Sequence, residues 1–221
     1  MSKVAIVIGA TGLVGSALVK QLIAADHISH IITLTRSPAN DDDAKVTNHV
    51  VDFEDPESYA NYVKGELLFS CMGTTLKQAG SVEAQRKVDL DYQFDVAKVA
   101  AEQGVKHYLL VSSSGANQAS KQAYLKMKGE LEHLVKSLPF QHISIFQPSL
   151  LVGPRSKFRW GEKAASLFLP LICLLPWFKR YKPISGEQVA AKMCQVSAQS
   201  GHAIKYFCLD EIFINDQKPL S

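Results

Sequence analysis

The chain has 221 residues, 47 % of them hydrophobic and 20 % charged, with a formal net charge of +3. That length suits one domain with ample core, and so small a charge excludes the basic footprint of a nucleic-acid binder. The cysteines Cys71, Cys173, Cys194 and Cys208 lie far apart with no C-x-x-C pair, so they read as reduced core thiols rather than zinc ligands or nucleophiles. The scattered histidines, among them His107, His142 and His202, are assigned no ligand role, so no metal is expected. No basic leader or cleavage site precedes the first apolar run, and a cytoplasmic protein is expected on that ground.

In chain order, apolar β-branched runs predict buried strands at 3–8, 31–35, 48–52, 66–70, 107–112 and 142–146. Helical patterns lie between most of them, at 13–24, 83–103 and 120–137. The alternation predicts an α/β fold, a doubly wound parallel sheet with helices on both faces. After Pro148 the pattern changes. Residues 155–182 are basic and then apolar, 186–199 suit an amphipathic helix, and 202–209 suit a last strand. The expected organisation is a single dinucleotide-binding Rossmann domain over 1–221, with 155–182 as a small apolar cap.

The first strand runs into GATGLVG, residues 9–15. A helix starting at the carboxyl edge of a parallel sheet offers free N–H groups and a partial positive charge to a phosphate. Gly9 allows the tight turn, Gly12 lets the pyrophosphate approach, and Gly15 brings the helix close to the strand. Thr11, Leu13 and Val14 complete this cofactor turn. The second strand ends in Thr35, Arg36 and Ser37 with no carboxylate for a ribose diol. Arg36 can pair with a 2′-phosphate, and Thr11 and Ser37 can add hydroxyls, which favours NADP(H) over NAD.

Ser112, Ser113 and Ser114 follow the fifth strand, and Tyr124 and Lys128 follow them at helical i, i+4 spacing. A carbonyl that accepts hydride needs a proton, and a free phenol is a weak acid. A neighbouring ammonium favours the phenolate, and a serine hydroxyl can cradle the substrate oxygen.

These motifs in this order resemble the short-chain dehydrogenase/reductase superfamily, in its extended or atypical branch. Within it the chain is most like the Tat-interactive-protein type oxidoreductases. The likeness is carried by GATGLVG (9–15), VVDFED (50–55), CMGTT (71–75), VDLDY (88–92), HYLLVSSSGA (107–116), YLKMKGELE (124–132) and FQPSLLVGPR (146–155). The resemblance implies that Asp52, with Phe53 beside it, meets the adenine. It implies that Cys71, Met72 and Gly73 line the adenosine and ribose. Ser113 would be the active-site serine, with Ser112 and Ser114 as alternatives. Tyr124 would be the general acid/base and Lys128 its partner and a ribose ligand. Pro148, Leu150 and Leu151 would border the nicotinamide. Two departures stand out. Asp89 occupies the place of an asparagine that supports the lysine through water in many members, and Gln147 precedes Pro148 where an arginine is familiar.

The expected activity is NADPH-dependent reduction of a carbonyl on a small or apolar substrate. The alternative is an NADP(H)-sensing module that regulates a protein partner, and a weaker third reading is an epimerase or dehydratase that recycles its cofactor. The segment 158–182 has three readings: core or dimer contact, substrate-pocket wall, or an edge touching a membrane surface. A monomer or homodimer is expected.

Overall fold

The computed structural model describes residues 2–39, 42–153, 182–199 and 203–214. The expected cap at 155–182 and Cys173 lie almost wholly outside the described residues. The strands are β1 (Lys3–Ile8), β2 (Ile28–Thr35), β3 (Val46–Val50), β4 (Leu67–Ser70), β5 (His107–Val111), β6 (His142–Gln147), β7 (Leu151–Val152), β8 (Ile184–Ser185) and β9 (Ile204–Cys208). The helices are α1 (Leu13–Ala24), α2 (Glu57–Ala60), α3 (Leu76–Ala79), α4 (Val82–Arg86), α5 (Tyr92–Glu102), α6 (Ala123–Val135) and α7 (Gly186–Ser197).

Seven strands form one sheet in the order β3-β2-β1-β4-β5-β6-β9, and every pairing is parallel. The chain direction across the sheet reverses between β1 and β4, which opens a crevice beyond their carboxyl ends. This is the doubly wound Rossmann fold that the alternation predicts. The two-residue strands β7 and β8 pair separately and are too short for an alternating pattern to announce them.

Side-chain alternation explains the two cores. On β1, Ala5 and Val7 face α1 and α7, while Ile6 and Ile8 face α5 and α6. The same division runs through β5, where Leu109 and Val111 face one way and Tyr108 and Leu110 the other. A strand covered on both faces has no solvent side, so Ala5 to Ile8 are fully buried and uniformly apolar. Burying each larger side chain contributes about 1.5–3 kcal/mol.

Two predicted helices are altered by what they must place. The pattern at 83–103 is interrupted by a π-helical turn, Lys87–Asp91, between α4 and α5. The extra residue in that turn brings Asp89 and Leu90 inward together, and both are buried. Helix α6 begins at Ala123, three residues later than the pattern suggests, because residues 113–122 form a loop laid against it. Asn117 donates its N–H to the Leu125 carbonyl at 3.0 Å. A Cβ at Gly129 would come within 2.3 Å of the Asn117 carbonyl carbon, so only glycine admits the loop.

Candidate functional site

The glycine turn sits at the switch-point crevice. Gly9 has φ +77, and a Cβ there would lie 2.5 Å from the Cys71 carbonyl carbon. A Cβ at Gly15 would lie 2.1 Å from the Gly9 carbonyl oxygen. Both glycines are therefore required by the chain itself, Gly15 by the turn folding back on the first helical turn. Gly12 differs: its nearest neighbours are Gly9 O at 3.2 Å and Cys71 O at 3.8 Å. As the N-cap of α1 it provides no side-chain cap, and the first turn holds no acidic residue. By contrast α7 is closed by a capping box, in which Ser185 Oγ accepts the Gln188 N–H. The uncapped α1 end fits a pyrophosphate.

Of the other turn residues, Thr11 is exposed and Val14 is buried in the core. Leu13 packs beneath Gly153 and Gly186, where a Cβ would strike its side chain or backbone. Arg36 and Ser37 are exposed beyond β2. Asp52 is exposed after β3, and its Oδ1 accepts the Glu54 N–H at 2.9 Å. Phe53 is 3 % exposed and packs its ring against Tyr59 and Tyr92. Its side chain belongs to the core, so only its backbone is left to meet an adenine. Cys71, Met72 and Gly73 follow β4, and burial pushes the Cys71 thiol up to about 12, which removes it as a nucleophile. Pro148 is buried, Leu150 is exposed, and Leu151 starts β7.

Tyr124 and Lys128 share one stripe of α6, but their surroundings differ. Tyr124 is 37 % exposed, at the second position of the helix. Lys128 is 2 % exposed, and its Nζ lies 3.1 Å from Asp89 Oδ1 and 3.5 Å from the Met72 carbonyl oxygen. Asp89 is fully buried, and its Oδ2 accepts the Thr74 N–H at 3.0 Å. Among the described residues no donor meets Oδ1 in hydrogen-bonding geometry, so its contact with the ammonium is ionic. The departure at Asp89 thus becomes a direct counter-ion for the lysine. The π-helical turn delivers it, and the ammonium sits under the loop that follows β4.

The serines separate. Ser112 is 3 % exposed, and its hydroxyl donates to Glu132 Oε1 in a very short hydrogen bond. Its proton is therefore committed. Ser113 is half-buried, and among the described residues its Oγ makes only a long contact of 3.4 Å with the Ser114 carbonyl. The Ser114 N–H donates to the Pro148 carbonyl at 2.9 Å and ties this loop to the end of β6.

Sequence reading passed over Glu132. It stands one turn beyond Lys128, so 124, 128 and 132 form a continuous i, i+4, i+8 stripe, and that spacing was the available signal. Glu132 is 6 % exposed. Burial pushes its carboxyl above the ordinary carboxylate range, while hydrogen bonds from Gln147 and Ser112 and the charges of Lys136 and Lys128 act against the rise.

A family model described as NAD(P)H-binding matches residues 9–168, from the glycine turn through the Tyr124 and Lys128 helix. The chain belongs to this NAD(P)H-binding family. A relative named "Protein FMP52, mitochondrial", from Coccidioides immitis (strain RS), is 36 % identical over 207 residues, spanning 87 % of this chain and 83 % of its own. Rattus norvegicus HTATIP2 is 34 % identical over 171 residues, spanning 76 % of this chain and 70 % of its own. The solved structure of the Bordetella bronchiseptica enzyme WbmH in complex with NAD+ superposes with a TM-score of 0.71 at 12 % identity, covering 94 % of this chain and 76 % of that one. At that identity the likeness concerns the fold alone.

Membership of the NAD(P)H-binding family establishes a nicotinamide dinucleotide as the cofactor, without a choice between NAD and NADP. The expectation of a cytoplasmic protein is corrected here. The FMP52 relative is named mitochondrial, and the lack of a basic leader in the first residues was no sufficient ground for a compartment.

Proposed function

We propose that this chain is an NADPH-dependent oxidoreductase of the short-chain dehydrogenase/reductase type that reduces a carbonyl on a small or apolar substrate. The observation that carries the reading is the Lys128 ammonium, held between Asp89 and the Met72 carbonyl and one helical turn from the accessible Tyr124. A buried ion pair is weak evidence for stability, because desolvation offsets most of its attraction. Its position beside the switch-point crevice supports a chemical role instead.

The residues fit the cofactor. Gly9, Gly12 and Gly15 with the α1 N-terminus would hold the pyrophosphate. Arg36, with Ser37 and Thr11, would hold a 2′-phosphate, and Asp52 would face the adenine. Cys71, Met72 and Gly73 would line the ribose through their backbone, with Pro148, Leu150 and Leu151 at the nicotinamide. NADPH, when bound, supplies the hydride. Tyr124 Oη donates a proton to the substrate oxygen, and the Lys128 ammonium favours the phenolate left behind. Ser113 Oγ donates a hydrogen bond that orients that oxygen. Ser112 cannot do so while its proton is held by Glu132.

The test pairs NADPH binding, followed by nicotinamide fluorescence, with turnover of a quinone and aldehyde panel. Tyr124→Phe should leave binding intact and lower kcat by about 10²–10⁴-fold. Unchanged turnover in that variant overturns the mechanism. Tight NADPH binding by the wild type with no turnover across the panel supports the sensing module instead.

A further inference from the structure

We propose that Glu132 is a positioning residue: its buried carboxyl holds the ends of β5 and β6 against α6 and so keeps Ser113 in register with Tyr124 and Lys128. The proposal rests on the reading of Ser113, Tyr124 and Lys128 as the reacting set.

Three elements meet at this carboxyl. From β5, the Ser112 hydroxyl donates to Oε1. From β6, Gln147 Nε2 donates to Oε1 at 2.9 Å and approaches Oε2 at 3.2 Å. Behind Gln147, the Cys208 thiol at the end of β9 donates to the amide oxygen at 3.3 Å, which fixes which way the amide points. The Glu132 backbone lies on the helix that carries Tyr124 and Lys128. Each held residue immediately precedes a site residue: Ser112 precedes Ser113, and Gln147 precedes Pro148. The backbone adds to the tie, because the Ser112 N–H donates to the Phe146 carbonyl at 2.7 Å and the Ser114 N–H to the Pro148 carbonyl at 2.9 Å.

Cohesion alone would not select a carboxyl here. The groups that donate to it, Ser112 and Gln147, are both neutral. The cations that act on it, Lys128 and Lys136, lie on its own helix and at that helix's C-terminal cap. A leucine in the same place would pack without the desolvation cost. What a leucine cannot do is fix the Ser112 rotor and the Gln147 amide together, with directional bonds to two strand ends. Gln147 also gains a reason: a neutral amide bridges a carboxyl and a thiol, which an arginine could not do with the thiol as donor.

The experiment compares wild type, Glu132→Leu, Glu132→Gln and Ser112→Ala. Folding is checked by circular dichroism, NADPH affinity by fluorescence, and kcat and KM with phenanthrenequinone. Amide hydrogen exchange at residues 112–116 and 147–151 is measured with NADPH bound. Glu132→Leu should bind NADPH with little change, exchange faster in both segments, and lose kcat by about 10- to 100-fold without a matching change in KM. Glu132→Gln keeps Oε1 as the acceptor for both Ser112 and Gln147, so it should recover most of the kcat and the protection. Ser112→Ala should show the same direction of change in smaller measure, and it decides the matter if Glu132→Leu fails to fold. Wild-type kcat and exchange in Glu132→Leu, or in Ser112→Ala where the former does not fold, overturn the proposal. So does equal damage in the leucine and glutamine variants. Failure of wild type to bind NADPH overturns the functional reading instead, and the exchange comparison without cofactor still decides the role of Glu132.

Discussion

The two ends of the sheet handle buried ionisable groups in opposite ways. At the carboxyl end, Lys128 and Asp89 stay paired as ions with almost no solvent contact. At the amino end, the strand starts place His107 beside His142, with Lys3 nearby and a cavity of about 310 Å³ opening between these residues and Glu66. There the fold removes charge instead of pairing it. His107 is 6 % exposed, its Nε2 lies 2.9 Å from Ser144 Oγ, and burial with the charges of His142 and Lys3 pushes it down to about 4. The lesson is that a buried imidazole without an anion is pushed toward its neutral form, whereas the buried Lys128 is given a carboxylate at 3.1 Å by a purpose-built turn. The second arrangement is the costlier one, and it lies beside the switch-point crevice.

The largest effect should come from breaking the ion pair. Lys128→Met leaves Asp89 buried with no counter-ion and should destabilise the fold by about 3–5 kcal/mol. Denaturant unfolding measures this, and adding Asp89→Asn should restore a large part. A loss no greater in the single variant than in the double would show that the pair is not coupled.

The next effect probes the opposite end through pH. His107 titrates near 6.5 in the unfolded chain and near 4 when folded. Below pH 6.5 the unfolded chain binds the extra proton, so stability is complete above that value and declines as pH falls toward 4. The total amounts to about 3 kcal/mol. His107→Gln should flatten this decline, and urea unfolding across the same range checks it. An unchanged slope would move the titration to another group.

A smaller effect sharpens the cofactor assignment at the carboxyl end. Arg36→Ala should weaken NADPH binding by about 10- to 100-fold, as loss of a charged hydrogen bond does, while NADH binding stays the same. Equal weakening of both cofactors would remove Arg36 from the 2′-phosphate. The smallest effect is on stability in Tyr124→Phe. An exposed hydroxyl with no partner among the described residues should change unfolding by less than about 0.5 kcal/mol, so that lost turnover in this variant reports chemistry alone.

Much of the fold was legible because its signals are local. The strand at 3–8 and the helix at 13–24 lie where the apolar pattern puts them, since a strand buried on both faces admits little but apolar residues. The glycine turn was legible for the same reason, because a positive φ at Gly9 leaves few substitutes. The site was legible only as a stripe. Helical spacing put Tyr124 and Lys128 on one face, and it would have added Glu132 had the stripe been carried one turn further. Asp89 was seen as a departure whose anion could hold the Lys128 ammonium, and it does so at 3.1 Å; its full burial was not legible, because its approach depends on a π-helical turn that no spacing rule announces.

The sequence by itself determined the parallel sheet, the bare turn and the helical spacing of the phenol and the ammonium, because each follows from contacts within a few residues. Only the tertiary structure decided that Ser112 has its proton committed, that Asp89 meets the lysine directly in a buried ion pair, and that a glutamate joins two strand ends to one helix. Those outcomes depend on groups separated by tens of residues meeting in a dry interior, where one hydrogen-bond donor or counter-ion settles the state of its neighbour.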